Sequence, residues 1–149
     1  RVTWEGIAVW TYLGHTFKSL KALGSIMTGS AYPGLWDLHY DAHDDSLHSM
    51  AEAYTRIYIN TCLENKVNVL LNIVNGGKCD GIVYHLNRSC KLMSFLNVET
   101  AEIIKEKTGL PYVSFDGDQT DPRNFAPAQF DTRVQALAEM MEANLAAAE

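Results

Sequence analysis

Apolar positions along the chain switch repeatedly between a strand-like and a helix-like spacing, with turn residues between the switches. Val2 to Val9 is rich in β-branched residues and interrupted at Gly6, which predicts a first strand. From Trp10 to Leu23 the residues Leu13, Phe17, Leu20 and Leu23 share one helical face, and Gly24 ends the helix. Ser25 to Thr28 predicts a short second strand running into a long loop, Gly29 to Asp45. That loop carries Tyr32, Trp36, His39, Tyr40 and His43, more rings than a connector needs. Beyond it, Leu47, Met50, Ala51, Tyr54, Ile57 and Tyr58 have helical spacing, with Ser46 as the expected N-cap. A second helical stretch runs through Val67, Leu70, Leu71 and Val74 to Gly76 and Gly77.

Gly81 to His85 is a short apolar run bounded by turns, the pattern of a buried parallel strand. A helix follows over about Ser94 to Lys107, stopped by Gly109 and Pro111, and Tyr112 to Phe115 predicts another strand. After the turn-rich Asp116 to Pro122, the residues Phe130, Val134, Leu137, Met141 and Leu145 form one helical stripe. This alternation predicts a single α/β domain over residues 1–149: an open parallel sheet of about four strands with helices on both faces, flavodoxin- or Rossmann-like.

Composition narrows the partners. The 149 residues hold 12 Lys+Arg against 18 Asp+Glu, and 47% are apolar, enough for one core without staples. The net charge of −6 and the lack of a basic run argue against nucleic acid or an anionic membrane surface. No stretch approaches the roughly 18 apolar residues of a membrane helix, and nothing at the start has the pattern of a signal peptide, so the expected location is cytoplasmic. The chain opens on Arg1 and enters an apolar segment at once, as a piece of something longer would. Cys62, Cys79 and Cys90 are odd in number and lack a CxxC pair, which excludes a disulfide framework and a zinc knuckle. Cys62 and Cys79 are expected to be small buried hydrophobes.

In open parallel sheets, ligands gather outside the carboxyl ends of the strands. Three loops should meet there: Thr28 to Asp45, His85 to Ser94, and Asp116 to Asn124. The middle one reads His85-Leu86-Asn87-Arg88-Ser89-Cys90-Lys91, which sets a thiol between two cations near a helix start, a setting that favours thiolate. A thiolate there suits a nucleophile with His85 as its base, a metal ligand, or an inert thiol, and spacing does not choose among them. Asp116 to Asp121 has acids at alternate positions but Asp121 and Pro127 where a calcium loop needs Gly and Glu. A strand-end turn, with Asp side chains capping backbone N–H groups, is the expectation. Arg133 either reaches back to this loop or solvates the surface, and His15, His39, His43 and His48 are spaced too loosely for a metal motif.

The runs Asp80 to Lys91, Gly109-Leu110-Pro111, Asp116 to Phe125 and Gln129 to Arg133, in this order, resemble the C-terminal part of a 2-hydroxyacyl-CoA dehydratase subunit. That family includes 2-hydroxyglutaryl-CoA dehydratase and, more distantly, benzoyl-CoA reductase. Within it, Tyr32 to Leu38 favours the hydroxyglutaryl type. The resemblance implies a heterodimer of related subunits, each holding a 4Fe-4S cluster, and a separate ATP-dependent iron–sulfur activator that delivers one electron. The acyl-CoA thioester then becomes a ketyl radical anion, expels the C2 hydroxyl and yields a 2-enoyl-CoA. Carried over by motif, Cys90 is a cluster ligand, with His85, Arg88 and Ser89 nearby as candidate catalytic or supporting groups and Lys91 balancing the cluster's charge. The remaining cluster ligands would lie outside this chain, which alone would be inactive. A rival reading from another class is a flavodoxin-like flavin- or nucleotide-binding or electron-transfer module, its rings stacking in the first loop, though no Gly-rich phosphate loop supports it.

Overall fold

The computed structural model describes residues 1–41 and 45–147; the expectations for His43 fall outside them. Strand β1 (Val2–Glu5) leads through α1 (Leu13–Ala22) to β2 (Met27–Ser30). Helices α2 (Ser46–Arg56) and α3 (Leu63–Gly76) lead to β3 (Gly81–Asn87). A single-turn α4 (Lys91–Ser94) and α5 (Asn97–Thr108) precede β4 (Tyr112–Gly117), and α6 (Pro127–Ala147) closes the described chain. The strands form one parallel sheet in the order β2-β1-β3-β4. No helix among the described residues is long and apolar enough to cross a membrane.

Alternation along β1 and β3 divides the core between the two faces of the sheet. Val2, Trp4 and Val83 pack with Phe115 against Leu20 of α1 and against Phe130, Val134, Leu137 and Met141 of α6. On the other face Ile82 and Tyr84 meet Val67, Leu70 and Val74 of α3 and Ala101 and Ile104 of α5. Helices therefore cover both faces, as the alternation of elements predicts. Each large apolar side chain buried in this way contributes roughly 1.5–3 kcal/mol, so α6, with four of them, is the main cover of its face.

Several local expectations shift. β1 stops at Glu5 because Gly6 turns the chain at φ +98°, and a Cβ there would lie 2.6 Å from the His85 carbonyl oxygen, so only glycine fits. β2 begins two residues later than expected, at Met27. The N-cap of α2 is Asp45, whose carboxylate accepts from Leu47 N at 2.9 Å, and Ser46 is already helical. The apolar stripe of α2 does not face the core: Leu47, Met50 and Tyr54 are exposed, while Ser49 and Ala53 are buried. Cys62 is exposed at the N-cap of α3, contrary to its apolar setting in the sequence, whereas Cys79 is buried as expected. Leu145 extends past the end of the core and is exposed.

Candidate functional site

The sheet order sends the chain from β1 to β2 on one side and to β3 on the other, which opens a crevice beyond the carboxyl ends of β1 and β3. The three loops do meet there. Ile7 after β1, Ala31 and Leu35 after β2, Tyr58 before α3 and Met93 after β3 form a buried apolar cluster, and Cys90 packs against it. The loop after β4 joins through polar groups. Asn87 Oδ1 accepts from Ser89 N at 3.2 Å and Gln119 N at 3.3 Å, and Arg88 N donates to the Gly117 carbonyl at 2.9 Å.

Asp118 is the hub of this tie. One carboxylate oxygen accepts a short hydrogen bond from the Ser89 hydroxyl, and the other accepts from Thr120 N and Asp121 N, each at 2.9 Å. The Ser89 hydroxyl, then the backbone N–H groups of Asp121 and Thr120, hold the Asp118 carboxyl down to about 2. The acidic run is thus a turn whose side chains cap backbone donors, with Asp121 likewise accepting from Arg123 N at 3.0 Å. Arg133 is exposed, and its neighbour Asp131 pairs with His15 at 2.9 Å.

Cys90 is half-buried at the N-cap of α4. Its N–H donates to the Asn87 carbonyl at 3.3 Å and its carbonyl accepts from Ser94 N at 3.2 Å, so the backbone fixes the thiol at the crevice. The sequence neighbours expected to supply positive charge are both solvent-exposed. Arg88 is exposed and leans toward Asp116, 3.9 Å away, and Lys91 is exposed. His85 is fully enclosed. Its Nδ1 pairs closely with the Ile7 carbonyl, and its ring stacks on Phe115 at 4.9 Å. Nε2 faces the Gly117 backbone without a well-formed hydrogen bond. Burial drives the His85 pKa down against the opposing pull of the Ile7 and Gly117 backbone, so the ring is held neutral. It is a wedge between loops, and no hydrogen bond joins it to Cys90.

A buried charged group that spacing did not reveal lies beneath this loop. Lys66 is 4% exposed; its Nζ donates to the Leu92 carbonyl at 3.4 Å and sits 5.1 Å from the centre of the Tyr58 ring. The Tyr58 hydroxyl donates to Glu5 Oε1 at 2.9 Å, and Glu5 Oε2 has no well-formed hydrogen bond among the described residues. Burial raises the Glu5 carboxyl to about 7, opposed by the Tyr58 hydroxyl, Lys66 and the Gly6 N–H, and burial lowers the Lys66 ammonium. The available signal was phase: Lys66 shares the buried face of α3 with Leu70 and Val74.

The raised Glu5 carboxyl has a measurable consequence. Folded protein keeps that proton up to about 7 while the unfolded chain releases it near 4.5, so this contribution is full below 4.5 and is lost as pH rises through 7. Relative to Glu5→Gln, the natural protein is expected to lose about 3 kcal/mol of stability across that window in urea unfolding. Neutral His85 acts in the opposite direction, weakening the fold as pH falls, and cancels in the comparison because both proteins carry it.

As a metal ligand the Cys90 loop offers the Cys90 thiol. Among the described residues no group of three His, Cys, Asp or Glu side chains is gathered for an ion. Cys79 sits before β3, at the opposite end of that strand, paired with the Thr3 hydroxyl at 2.8 Å. Beside the crevice, between α1 and Tyr32, lies an apolar cavity of about 230 Å³ lined by Trp4, Trp10, Phe17 and Leu20.

The profile of the family described as 2-hydroxyglutaryl-CoA dehydratase, D-component, matches residues 1–141. The chain belongs to this dehydratase family. Lactoyl-CoA dehydratase subunit alpha of Anaerotignum propionicum is 82% identical over 149 residues, covering 100% of this chain and 35% of that protein. The (R)-2-hydroxyisocaproyl-CoA dehydratase alpha subunit of Clostridioides difficile is 48% identical over 142 residues, or 95% of this chain and 34% of that one. Subunit alpha of (R)-2-hydroxyglutaryl-CoA dehydratase from Acidaminococcus fermentans is 39% identical over 144 residues, 97% of this chain and 29% of its own length. The chain thus spans about a third of the curated dehydratase subunits it matches. The Asn87-Arg88-Ser89-Cys90 loop and the Asp118 turn both lie within the dehydratase match.

Proposed function

We propose that the chain is part of the alpha-type subunit of a 2-hydroxyacyl-CoA dehydratase, a lyase that removes water from an (R)-2-hydroxyacyl-CoA to give a 2-enoyl-CoA. The observation that carries this is the near full-length family match in a fold that holds a half-buried Cys90 against the apolar cluster of the crevice. Cys90 is then one ligand of a 4Fe-4S cluster, and the other ligands come from outside this chain. Such a cluster would supply the one-electron chemistry that turns a thioester carbonyl into a ketyl radical anion able to expel the C2 hydroxyl.

The chain's own residues do the positioning. The Ser89 to Asp118 hydrogen bond and the Asn87 clamp hold the thiol's loop against the β4 loop. Ile7, Leu35, Tyr58 and Met93 keep water from the inner side of the thiol. Its outer side is bordered in sequence by Leu92 and Phe95, both exposed, a surface suited to cover by the rest of the subunit or by its related partner subunit. An ATP-dependent iron–sulfur activator is the expected electron source, in an anaerobic, cytoplasmic setting. Identity of 82% to a lactoyl-CoA enzyme against 39% to a hydroxyglutaryl-CoA enzyme favours a short acyl chain.

The test is turnover by the complete subunit pair, prepared anaerobically with its activator, ATP and a reductant. It is expected to contain iron and sulfide and to dehydrate (R)-lactoyl-CoA faster than (R)-2-hydroxyglutaryl-CoA. Iron-free protein, or failure to dehydrate any 2-hydroxyacyl-CoA, overturns the reading.

A further inference from the structure

We infer that Lys66, and not Lys91, is the positive charge that sets the electrostatic potential at Cys90, with Glu5 as its opposing partner. The inference rests on the cluster reading above and concerns two side chains of this chain that act through the Cys90 loop. Lys91 projects into solvent, where water and salt screen its charge. Lys66 is enclosed, and a charge in a poorly polarisable interior acts over a longer range than one in water.

Geometry aims that charge at the loop. The ammonium donates to the carbonyl of Leu92, two residues beyond Cys90, and rests on the face of Tyr58, a member of the cluster against which Cys90 packs. Burial disfavours the charged lysine, opposed first by attraction to Glu5 and then by attraction to Cys90. Glu5 is tethered to the same unit through the Tyr58 hydroxyl, and its second oxygen is buried without a well-formed hydrogen bond among the described residues. A buried ammonium without this setting would be replaced at little cost by an apolar residue of similar length. Its placement under a thiol loop gives it a task beyond packing: it stabilises added negative charge at Cys90. Lys66 and Glu5 are positioning residues, and their effects on the potential at Cys90 have opposite signs.

The experiment is an EPR-monitored redox titration of the complete subunit pair, reading the cluster that Cys90→Ala removes. It is run about one unit above the Glu5 value, where the carboxylate predominates. In Lys66→Met the ratio of reduced to oxidised cluster at fixed poise is expected to fall about tenfold, a negative shift of about 59 mV for one electron. Glu5→Gln is expected to shift the potential the other way, and Lys66→Arg to stay close to the natural protein. If Lys66→Met does not fold, the isosteric Glu5→Gln still decides by the sign of its shift. Unchanged potentials, or shifts of one sign in both variants, overturn the inference and leave Cys90 as a ligand. Full iron in Cys90→Ala overturns the ligand assignment and this inference together.

Discussion

Cys90→Ala is expected to strip one cluster's iron and sulfide from the complete subunit pair and to stop dehydration, with little change in stability. The thiol is only half-buried, so its loss opens no large cavity, and the loop keeps its shape through the Ser89 to Asp118 and Asn87 bonds. Circular dichroism melting should place the variant within about 1 kcal/mol of the natural protein, which separates loss of metal from loss of fold. The other two cysteines are the controls. Cys62→Ala removes an exposed side chain at a helix N-cap where it makes no capping bond, and should fall within about 0.5 kcal/mol. Cys79→Ala deletes a buried thiol and its contact with Thr3, and should cost about 1 kcal/mol while leaving iron intact. Iron retained in Cys90→Ala, or lost equally in all three, refutes the assignment.

Gly117→Val is expected to be among the most destabilising single changes in the chain, by roughly 3–4 kcal/mol. A Cβ at Gly117 would lie 2.6 Å from His85 Nε2 and 3.1 Å from its Cδ2. His85 has no direction of retreat, because the Ile7 carbonyl holds Nδ1, Phe115 stacks on the ring, and Gly6 brings the first loop against its backbone. Accommodation therefore pushes the β4 loop away from β3, which breaks the bond from Arg88 N to the Gly117 carbonyl and loosens Asp118 from Ser89. Urea unfolding reads the cost. A variant within about 1 kcal/mol of the natural protein would show that the wedge yields easily and does not brace the Cys90 loop.

The elements with the plainest periodicity were legible from the sequence. β3 and β4 are each found where their apolar runs sit and extend two residues further, to Asn87 and Gly117, because hydrogen bonding between the strands continues into polar residues. The stripe on α6 is buried from Phe130 to Met141. What failed depends on information that a single segment does not contain. The exposed stripe of α2 and the exposed Cys62 have apolar sequence settings, but among the described residues no other part of the chain covers them. Glu5 and Lys66 are hidden for the converse reason. Each is a charged residue that composition assigns to the surface, and only the fold reveals that Tyr58 bridges them within an otherwise apolar layer. The crevice was legible because its three loops follow strands whose order is a property of α/β topology, whereas the buried Lys66 near the Cys90 loop was not, because it lies far from that loop in sequence.

The central place of β1 governs the order in which the molecule can form. Made before the other three strands of this sheet, β1 must wait for β3 to supply its second flank, and β3 in turn waits for β4. Nascent chain that ends before residue 117 lacks the Gly117 carbonyl and Asp118, so the segment around Cys90 has nothing to close against. Pairings so distant in sequence are slow to form, and the open flank of β3 is the surface most prone to capture by another chain during that interval. The thiol's loop is consequently one of the last parts of this sheet to take shape, and translation past residue 121 is a precondition for its final geometry.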